Sequence, residues 1–352
     1  MTKIKSTKIR LGISIGDPNG IGVEVILKTL SDSRLLELFT PVIFGGKSII
    51  LDQVKALQIQ DVKFNFIDSV EAVKNGQINV VTVCDEEFKY NFGQESKEAG
   101  NISFQSLSAA VASLKANDVD ALVTAPINKN AIQSADFGFP GHTEYLQSQD
   151  EASDSLMLML SESARIGVVT GHVPLKEVGS NLSAELILTK LTILNKSLKE
   201  DFSIRKPKIA VMGLNPHAGD NGLLGKEEQE IIVPAINQAK SIGILAFGPY
   251  AADGFFGSST YTQFDGILAM YHDQGLIPAK SFSFGSGVNF TAGLSFVRTS
   301  PDHGTAFEIA GQGVANESSF RTALYSAAEL CKNRELNIEL AEGALVVNKS
   351  RN

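Results

Sequence analysis

The chain has 352 residues, a formal net charge of −8, 43% hydrophobic residues and 20% charged residues. These fractions are typical of a globular protein and exclude the collagen-like and disordered classes. The acidic balance, without a basic run, argues against a nucleic-acid partner, and the length suggests about two domains.

Short apolar runs, rich in β-branched residues and bounded by Gly, Pro or Asn, predict buried strands. They lie at 10–15, 41–45, 62–67, 79–83, 119–123, 165–169, 208–213, 244–247 and 265–270. Between them, apolar residues recur at helical spacing over 103–115, 183–199 and 318–331. This alternation predicts α/β layers around a largely parallel sheet. The stretch 135–141 is the best candidate for a crossing between two lobes, and 285–316 is predicted to be a long functional loop.

The N-terminus and the apolar runs bear on the compartment, which the cysteine count alone does not fix. Cys84 and Cys331 are too few for a disulfide framework. Asp17 and Pro18 interrupt the first apolar run, and no window of about 18 apolar residues follows, so we expect neither a signal peptide nor a membrane span. The expected location is the cytoplasm.

All five histidines lie in turns rich in Gly, Pro or Asn. Three of them directly follow predicted strands: His172, His217 and His272. Because ligands of open α/β sheets bind beyond the carboxyl ends of strands, these imidazoles are candidates for one Zn²⁺-type site with an open position. Nearby Asp220, Asp253 and Asp273 could orient the rings. The alternative is that these histidines only cap and pack their turns.

Two glycine-rich regions suggest anion binding. Residues 16–22 (GDPNGIG) join a strand to a helix, where backbone N–H groups favour an anion, although a purely structural turn is equally compatible. Neither a GxGxxG fingerprint nor a P-loop is present. Lys280 and Arg298, set in glycine-rich surroundings, could clamp a phosphate, or they could be solvated surface cations.

Seven segments together resemble one enzyme family. They are 16–22 (GDPNGIG), 141–146 (GHTEYL), 170–175 (TGHVPL), 214–219 (LNPHAG), 248–253 (GPYAAD), 271–275 (YHDQG) and 303–316 (HGTAFEIAGQGVAN). In this order they are similar to the 4-hydroxythreonine-4-phosphate dehydrogenases of pyridoxal 5′-phosphate biosynthesis. The last segment is also similar to the cofactor loop of isocitrate and isopropylmalate dehydrogenases, which bind NAD(P) without GxGxxG.

The resemblance implies an α/β fold of two α/β/α lobes with a central cleft, as in isocitrate and isopropylmalate dehydrogenases. We expect one lobe, with cofactor contacts, from residues 1–138 plus 305–352. The second lobe, 139–304, would carry the metal ligands and dimer contacts. The resemblance also implies a homodimer whose subunits share the active sites.

The resemblance further implies roles for individual residues. The metal ligands would be His172, His217 and His272. Substrate contacts would come from His142, Thr143, Lys280, Asn289 and Arg298. Cofactor contacts would come from His303, Gly304, Thr305, Ala306 and Asn316. Candidates for the proton steps are Lys280, Asp273 and Asp253.

The implied reaction is NAD- or NADP-dependent oxidation of 4-phosphohydroxy-L-threonine at its secondary hydroxyl, followed by decarboxylation to 3-amino-2-oxopropyl phosphate. One divalent metal per site, Zn²⁺, Co²⁺ or Mg²⁺, would polarise the hydroxyl, and imidazole ligands favour Zn²⁺, Co²⁺ or Ni²⁺ over Mg²⁺. Similar paralogues oxidise four-carbon aldonate 4-phosphates or dihydrodiols, and these substrates remain alternatives. A phosphoryl or acyl transferase and a non-catalytic binding protein are the competing classes.

Overall fold

The computed structural model of the chain describes residues 8–60, 62–84, 87–133, 137–139, 141–150 and 154–343. In these residues twelve strands form a single sheet. The strands are β1 (Arg10–Ser14), β2 (Thr40–Gly45), β3 (Phe64–Ile67), β4 (Ile78–Thr82), β5 (Ala121–Thr124), β6 (Leu156–Leu160), β7 (Arg165–Thr170), β8 (Lys208–Met212), β9 (Leu245–Tyr250), β10 (Gly266–Tyr271), β11 (Val288–Ala292) and β12 (Val297–Pro301).

Helices connect most of the strands. They are α1 (Gly22–Leu30), α2 (Leu35–Leu38), α3 (Lys47–Ala56), α4 (Lys97–Lys115), α5 (Lys129–Gln133), α6 (His142–Gln149), α7 (Val178–Asn181), α8 (Ala184–Glu200), α9 (Val233–Ser241), α10 (Ala252–Phe256), α11 (His272–Ser283) and α12 (Ser318–Glu342). Two of the long helices, α4 and α8, begin directly after a serine, Ser96 and Ser183, whose side-chain oxygen accepts a hydrogen bond from a backbone N–H of the first turn. Within the described residues, no helix has the length and apolarity that a bilayer span requires.

The strand order is β3-β4-β2-β1-β5-β12-β11-β6-β7-β10-β8-β9. Strands pair in parallel in each outer half, but β11 is antiparallel to β12 and β6, and β6 is antiparallel to β7. The two parallel halves therefore run in opposite directions and meet at these central strands. Eight of the eleven strand pairs in the described residues are parallel, which confirms the predicted largely parallel sheet; the antiparallel pairs at its centre were not predicted.

Alternating burial produces three layers. In β2, Val42 and Phe44 pack in a cluster with residues of α4, whereas Ile43 packs in the main core with residues of α1 and α12. In β10, Ile267 and Ala269 face α10 and α11, and Leu268 faces α8 and α9. Because successive side chains of a strand point to opposite faces, both faces of the sheet are covered, as in an α/β/α sandwich.

The predicted strands and helices are all present, with shifts of a few residues at strand ends; α4 begins earlier than predicted and α12 continues to Glu342. The predicted loop 285–316 is wrong over 288–292 and 297–301, because β11 and β12 form there. Strand β6 was not predicted. In the proposed crossing 135–141, residues 135, 136 and 140 lie outside the described part of the chain. The division into lobes at 138–139 and 304–305 stays a prediction.

Candidate active site

A cavity of about 290 Å³ lies against the middle of the sheet. Its floor is formed by side chains at alternate positions of the central strands, which share one face of the sheet. The floor residues are Thr124, Met157, Met159, Asn289, Arg298 and Ser300. A larger cavity, about 790 Å³, lies between α8 and α12, but its Asp201 and Arg334 pair with each other at 2.6 Å. The smaller cavity is the candidate site because several buried polar atoms at it have no partner among the described residues.

Arg298 on β12 is the main charge at the cavity floor, and only 2% of the residue is exposed. Its guanidinium donates to Thr291 Oγ1 at 3.1 Å and to Thr124 Oγ1 at 2.6 Å, while Nε is buried without a partner among the described residues. No described carboxylate pairs with it within 4.0 Å. Burial lowers the pKa of Arg298 to about 10, so the group remains charged at neutral pH. A buried, uncompensated cation is a strong attractor for a phosphate.

Three further polar atoms at the cavity are enclosed without partners among the described residues: His142 Nε2, Asn289 Oδ1 and His303 Nε2. Buried polar groups are normally hydrogen-bonded, so these atoms indicate a missing polar ligand. Burial, with the Arg298 and Lys129 charges, lowers the pKa of His142 well below its usual range, so its ring is neutral. We call Thr124, His142, Asn289 and Arg298 the closed end of the cavity.

The opposite part of the cavity is more exposed, and two predicted imidazoles meet there. The His172 and His272 ring centroids are 5.8 Å apart. Two imidazoles that share one ion have centroids within about 6 Å of each other, so this spacing suits a common metal. His272 Nδ1 lies 2.7 Å from Asp273 Oδ1, which leaves Nε2 available, as the prediction for Asp273 required.

The remaining charges of this part surround the two rings. His172 Nδ1 lies 4.0 Å from Glu144 Oε1, and burial, aided by Lys129, lowers the pKa of His172 so that a neutral ring faces the cavity. Lys129 and Lys280 also line the cavity. We call Glu144, His172, His272 and Lys280 the open end.

His217 and Asp253 do not line the cavity in one copy of the chain. His217 lies in an exposed turn after β8, and Asp253 lines a groove with Asp273 on the outer side of α11. Among the described residues, no group of three His, Cys, Asp or Glu side chains is placed to hold a metal. One chain therefore provides two of the three predicted imidazole ligands.

The predicted cofactor segment packs on the glycine-rich turn. Ile21 N donates to Thr305 O at 3.1 Å, and a Cβ on Gly20 would lie 2.9 Å from the same carbonyl oxygen, so glycine permits the contact. Ala306 follows with a φ of 44°, and Asn316 accepts a hydrogen bond from Ser318 N at 2.8 Å. His303 and Gly304 line the cavity directly.

Four backbone N–H groups of the turn, those of Asp17, Asn19, Gly20 and Ile21, donate within the protein. Asp17 N donates to Pro126 O, and Asn19 N and Gly20 N both donate to Asp17, at 2.9 to 3.0 Å. With Ile21 N bonded to Thr305 O, these amide groups are satisfied within the protein. These four bonds support the structural interpretation of the turn, and the anion-binding expectation for 16–22 stays a prediction.

Sequence reasoning missed Thr124, Lys129 and Glu144 at this site. Thr124 ends β5 and Lys129 begins α5, so both lie at a strand-to-helix connection. This connection, 125–128, contains neither a histidine nor a glycine and so offered no motif. Glu144 lies within the GHTEYL segment, where only His142 and Thr143 were assigned. Thr143 does line the cavity, as do all the other residues assigned to substrate contact.

The comparisons with known proteins agree with this geometry. The family model for pyridoxal phosphate biosynthetic protein PdxA matches residues 37–327. A relative from Bacteroides thetaiotaomicron, named 4-hydroxythreonine-4-phosphate dehydrogenase, is 49% identical over 333 residues, covering 94% of this chain and 91% of the relative. One from Oceanobacillus iheyensis, provisionally named D-threonate 4-phosphate dehydrogenase, is 37% identical, covering 94% and 100%. The crystal structure of a Klebsiella pneumoniae 4-hydroxythreonine-4-phosphate dehydrogenase has a TM-score of 0.80 at 33% identity, covering 92% and 100%, and confirms the predicted fold.

Proposed function

The chain belongs to the PdxA family of pyridoxal phosphate biosynthetic proteins, and from this premise we propose that it is a 4-hydroxythreonine-4-phosphate dehydrogenase. The proposed reaction is oxidation of 4-phosphohydroxy-L-threonine at its secondary hydroxyl by NAD or NADP, with decarboxylation to 3-amino-2-oxopropyl phosphate. The proposed location is the cytoplasm.

The observation that carries the proposal is Arg298, a buried cation with no carboxylate partner among the described residues. A substrate phosphate at the closed end would compensate this charge and accept a hydrogen bond from His142 Nε2, while Asn289 Oδ1 would accept from a donor elsewhere on the ligand. A 290 Å³ cavity is of the size that a small phosphorylated acid requires. With the phosphate at the closed end, the rest of such a ligand extends toward His172 and His272.

We propose that the open end is completed by a second copy of the chain. His172 and His272 fit one divalent cation, and an exposed His217 from the second copy would be the third ligand. This arrangement requires a homodimer with shared active sites, as the resemblance implies. When bound, a divalent cation lowers the pKa of a substrate hydroxyl and a nicotinamide accepts a hydride.

The chain's own side chains can orient the substrate and move its proton. Lys280 lines the cavity and lies on the same helix as His272. Asp273 is engaged with His272, and Asp253 is outside the cavity of its own chain. Lys280 is therefore the proposed group for the proton step. His303 and Gly304, at the cavity edge, are proposed to contact the cofactor.

The relative named for D-threonate 4-phosphate suggests a second candidate substrate of the same phosphate class. The two substrates differ in an ammonium group, and Glu144 at the open end is a carboxylate that fits the amino acid better. A substrate panel with both compounds and both cofactors tests the choice by following reduced nicotinamide at ~340 nm and released CO₂. If neither compound gives NADH or NADPH, the proposed function is contradicted.

Shared sites are tested by mixing two variants. His172→Ala and His217→Ala should each be inactive and bind one divalent metal much more weakly. In a mixed dimer of the two variants, one site carries both changes and the other is intact, so refolding them together should restore about a quarter of wild-type activity. No recovery in mixed dimers shown to form would overturn the shared-site arrangement.

A further inference from the structure

The turn that carries His217 has an unusual backbone. Residues His217, Ala218, Gly219, Asp220 and Asn221 all have positive φ values, between 42° and 80°. Non-glycine L-residues avoid this left-handed region because Cβ approaches the carbonyl oxygen, and a run of them persists only where surrounding contacts enforce it. Specific contacts must therefore hold this turn in its left-handed conformation.

Backbone bonds hold the run itself, from Leu223 N to Asp220 O and from Leu224 N to Gly219 O, and the contacts at its entry converge on Glu228, which is 3% exposed. Its Oε1 accepts from Leu214 N at 2.8 Å and from Asn215 N at 2.7 Å, and its Oε2 accepts from Asn215 Nδ2 at 3.0 Å. Within the described part of the chain, no cation lies within 4.0 Å of this carboxylate. A buried carboxylate that receives three N–H donors holds the entry to the turn in one position.

Two glycines of this segment pack closely against the Glu228 carboxylate. A Cβ on Gly219 would lie 2.5 Å from Glu228 Oε2, and one on Gly213 would lie 3.1 Å from Oε1. The two glycines thus allow the backbone to wrap around the carboxylate. The carboxylate therefore lies against Gly213 and Gly219, whereas His217 is exposed.

The same turn is linked to the other histidine-bearing strand end. Gln274 Nε2 donates to Gly213 O at 2.6 Å, and Gln274 Oε1 accepts from Met270 N at 2.7 Å. Met270 lies two residues before His272 in the chain. One side chain therefore ties the start of the His217 turn to the end of β10.

We propose that Glu228 is a positioning residue that holds the left-handed turn so that His217 is preorganised to bind a metal in the site of a second copy. The proposal rests on the proposed function, because it takes His217 as a ligand. It assigns a role to a buried acid that touches neither substrate nor cavity. A preorganised ligand loses less conformational freedom on binding, so the metal affinity should depend on Glu228.

The test is metal affinity in the intact protein, measured by competition for Co²⁺ or Zn²⁺ against a chromophoric chelator. Glu228→Gln keeps the side-chain shape but places an amide N–H₂ against one of the three N–H donors. The turn should then be held less firmly, so the affinity for the metal should fall about 10–100-fold. The control is Glu230→Gln, the same charge change at an exposed position of the same segment, which should bind as the wild type does. The unfolding midpoint of Glu228→Gln should fall modestly, because one buried donor loses its acceptor, and the KM for the nicotinamide cofactor should change little.

Gly219→Ala is the second variant, because its added Cβ displaces the Glu228 carboxylate from the opposite side. Unchanged metal affinity in either folded variant would overturn the proposal. Loss of folding in both variants would also overturn it, since Glu228 would then act on folding alone. His217→Ala separates the two hypotheses: wild-type affinity in that variant refutes the ligand role itself, whereas weak binding there with normal binding in Glu228→Gln refutes only the positioning role.

Discussion

The closed and open ends of the cavity differ in how completely one chain forms them. The closed end lies on strands at the middle of the sheet, with Arg298 buried and its Nε without a described partner. The open end lies on turns and helix starts, where the His172 side chain is 52% exposed and the His272 side chain 36% exposed.

The difference shows how the two ends achieve binding. At the closed end, burial makes every unsatisfied polar atom costly, so a phosphate gains its affinity from groups that one chain already holds in place. At the open end, solvent satisfies the groups, and a cation binds only when enough ligands are assembled. Under the proposed function, specificity for the phosphate would be built into one chain, and the reactive centre is expected to depend on the dimer.

The largest expected effect is at the closed end. Arg298→Met should lower kcat/KM by about 10³-fold, because two charge-assisted hydrogen bonds to the phosphate are lost. The same change removes a buried, uncompensated charge, so the free energy of unfolding should rise by about 1 kcal/mol. Steady-state kinetics and urea unfolding measure the two effects.

Arg298→Lys is the control, since it keeps the charge but not the fork of donors. It should recover part of the lost activity and none of the gained stability. A large loss of stability in Arg298→Met would contradict the interpretation, because it would show that the hydrogen bonds to Thr124 and Thr291 outweigh the cost of the buried charge.

A second effect concerns the support beneath the closed end. Asp17 is fully buried and its N–H donates to Pro126, a residue of the cavity wall. Burial raises the pKa of Asp17 from 3.8 to about 6, opposed by the Asn19 N–H and assisted by Glu95. A raised folded-state pKa means that stability is present at low pH and is lost as pH rises through about 6.

Asp17→Asn should remove this loss, which amounts to about 3 kcal/mol between pH ~4 and ~7. Urea unfolding at several pH values in that range measures it. The exposed Asp68→Asn is the matched control and should follow the wild-type curve. Parallel curves for wild type and Asp17→Asn would show that the carboxyl titrates normally.

The smallest effect is expected at the open end. Asp273 is 71% exposed at its side chain and orients His272 through Nδ1. Asp273→Asn keeps an acceptor oxygen but loses the charge, so metal affinity should fall about tenfold. Chelator competition measures the affinity, again with Asp68→Asn as the control. Equal affinity in both variants would remove Asp273 from the metal site.

Much of the fold followed from the sequence because apolar runs and helical periodicity report burial directly. The strand ends carrying His172 and His272 were predicted, and the structure brings these rings together. His217 does not line the cavity with them in one copy of the chain, and its strand-end position in the sequence gives no distance to the other two rings.

The central strands β11 and β12 were mistaken for a loop for a physical reason. They carry Asn289 and Arg298, whose polarity is typical of exposed segments, yet Arg298 is buried and Asn289 lies on the cavity floor. A hydrophobic pattern identifies a strand by its buried apolar residues. A strand with polar residues on the face that lines a cavity lacks this pattern and is therefore missed. Strand β6, Leu156–Leu160, was missed because its Leu and Met residues lack the β-branched signature.

The pairing of β11 with β12 has one more consequence. Phe290 is opposite Thr299 and Asn289 is opposite Ser300, so the residues joining the two strands, 293–296, set which side chains reach the cavity. Inserting or deleting a single residue there would shift the alignment by one and turn the guanidinium toward α12, on the far side of the sheet. The length of this hairpin is thus tied to ligand recognition, and we expect natural variation in chain length to fall elsewhere.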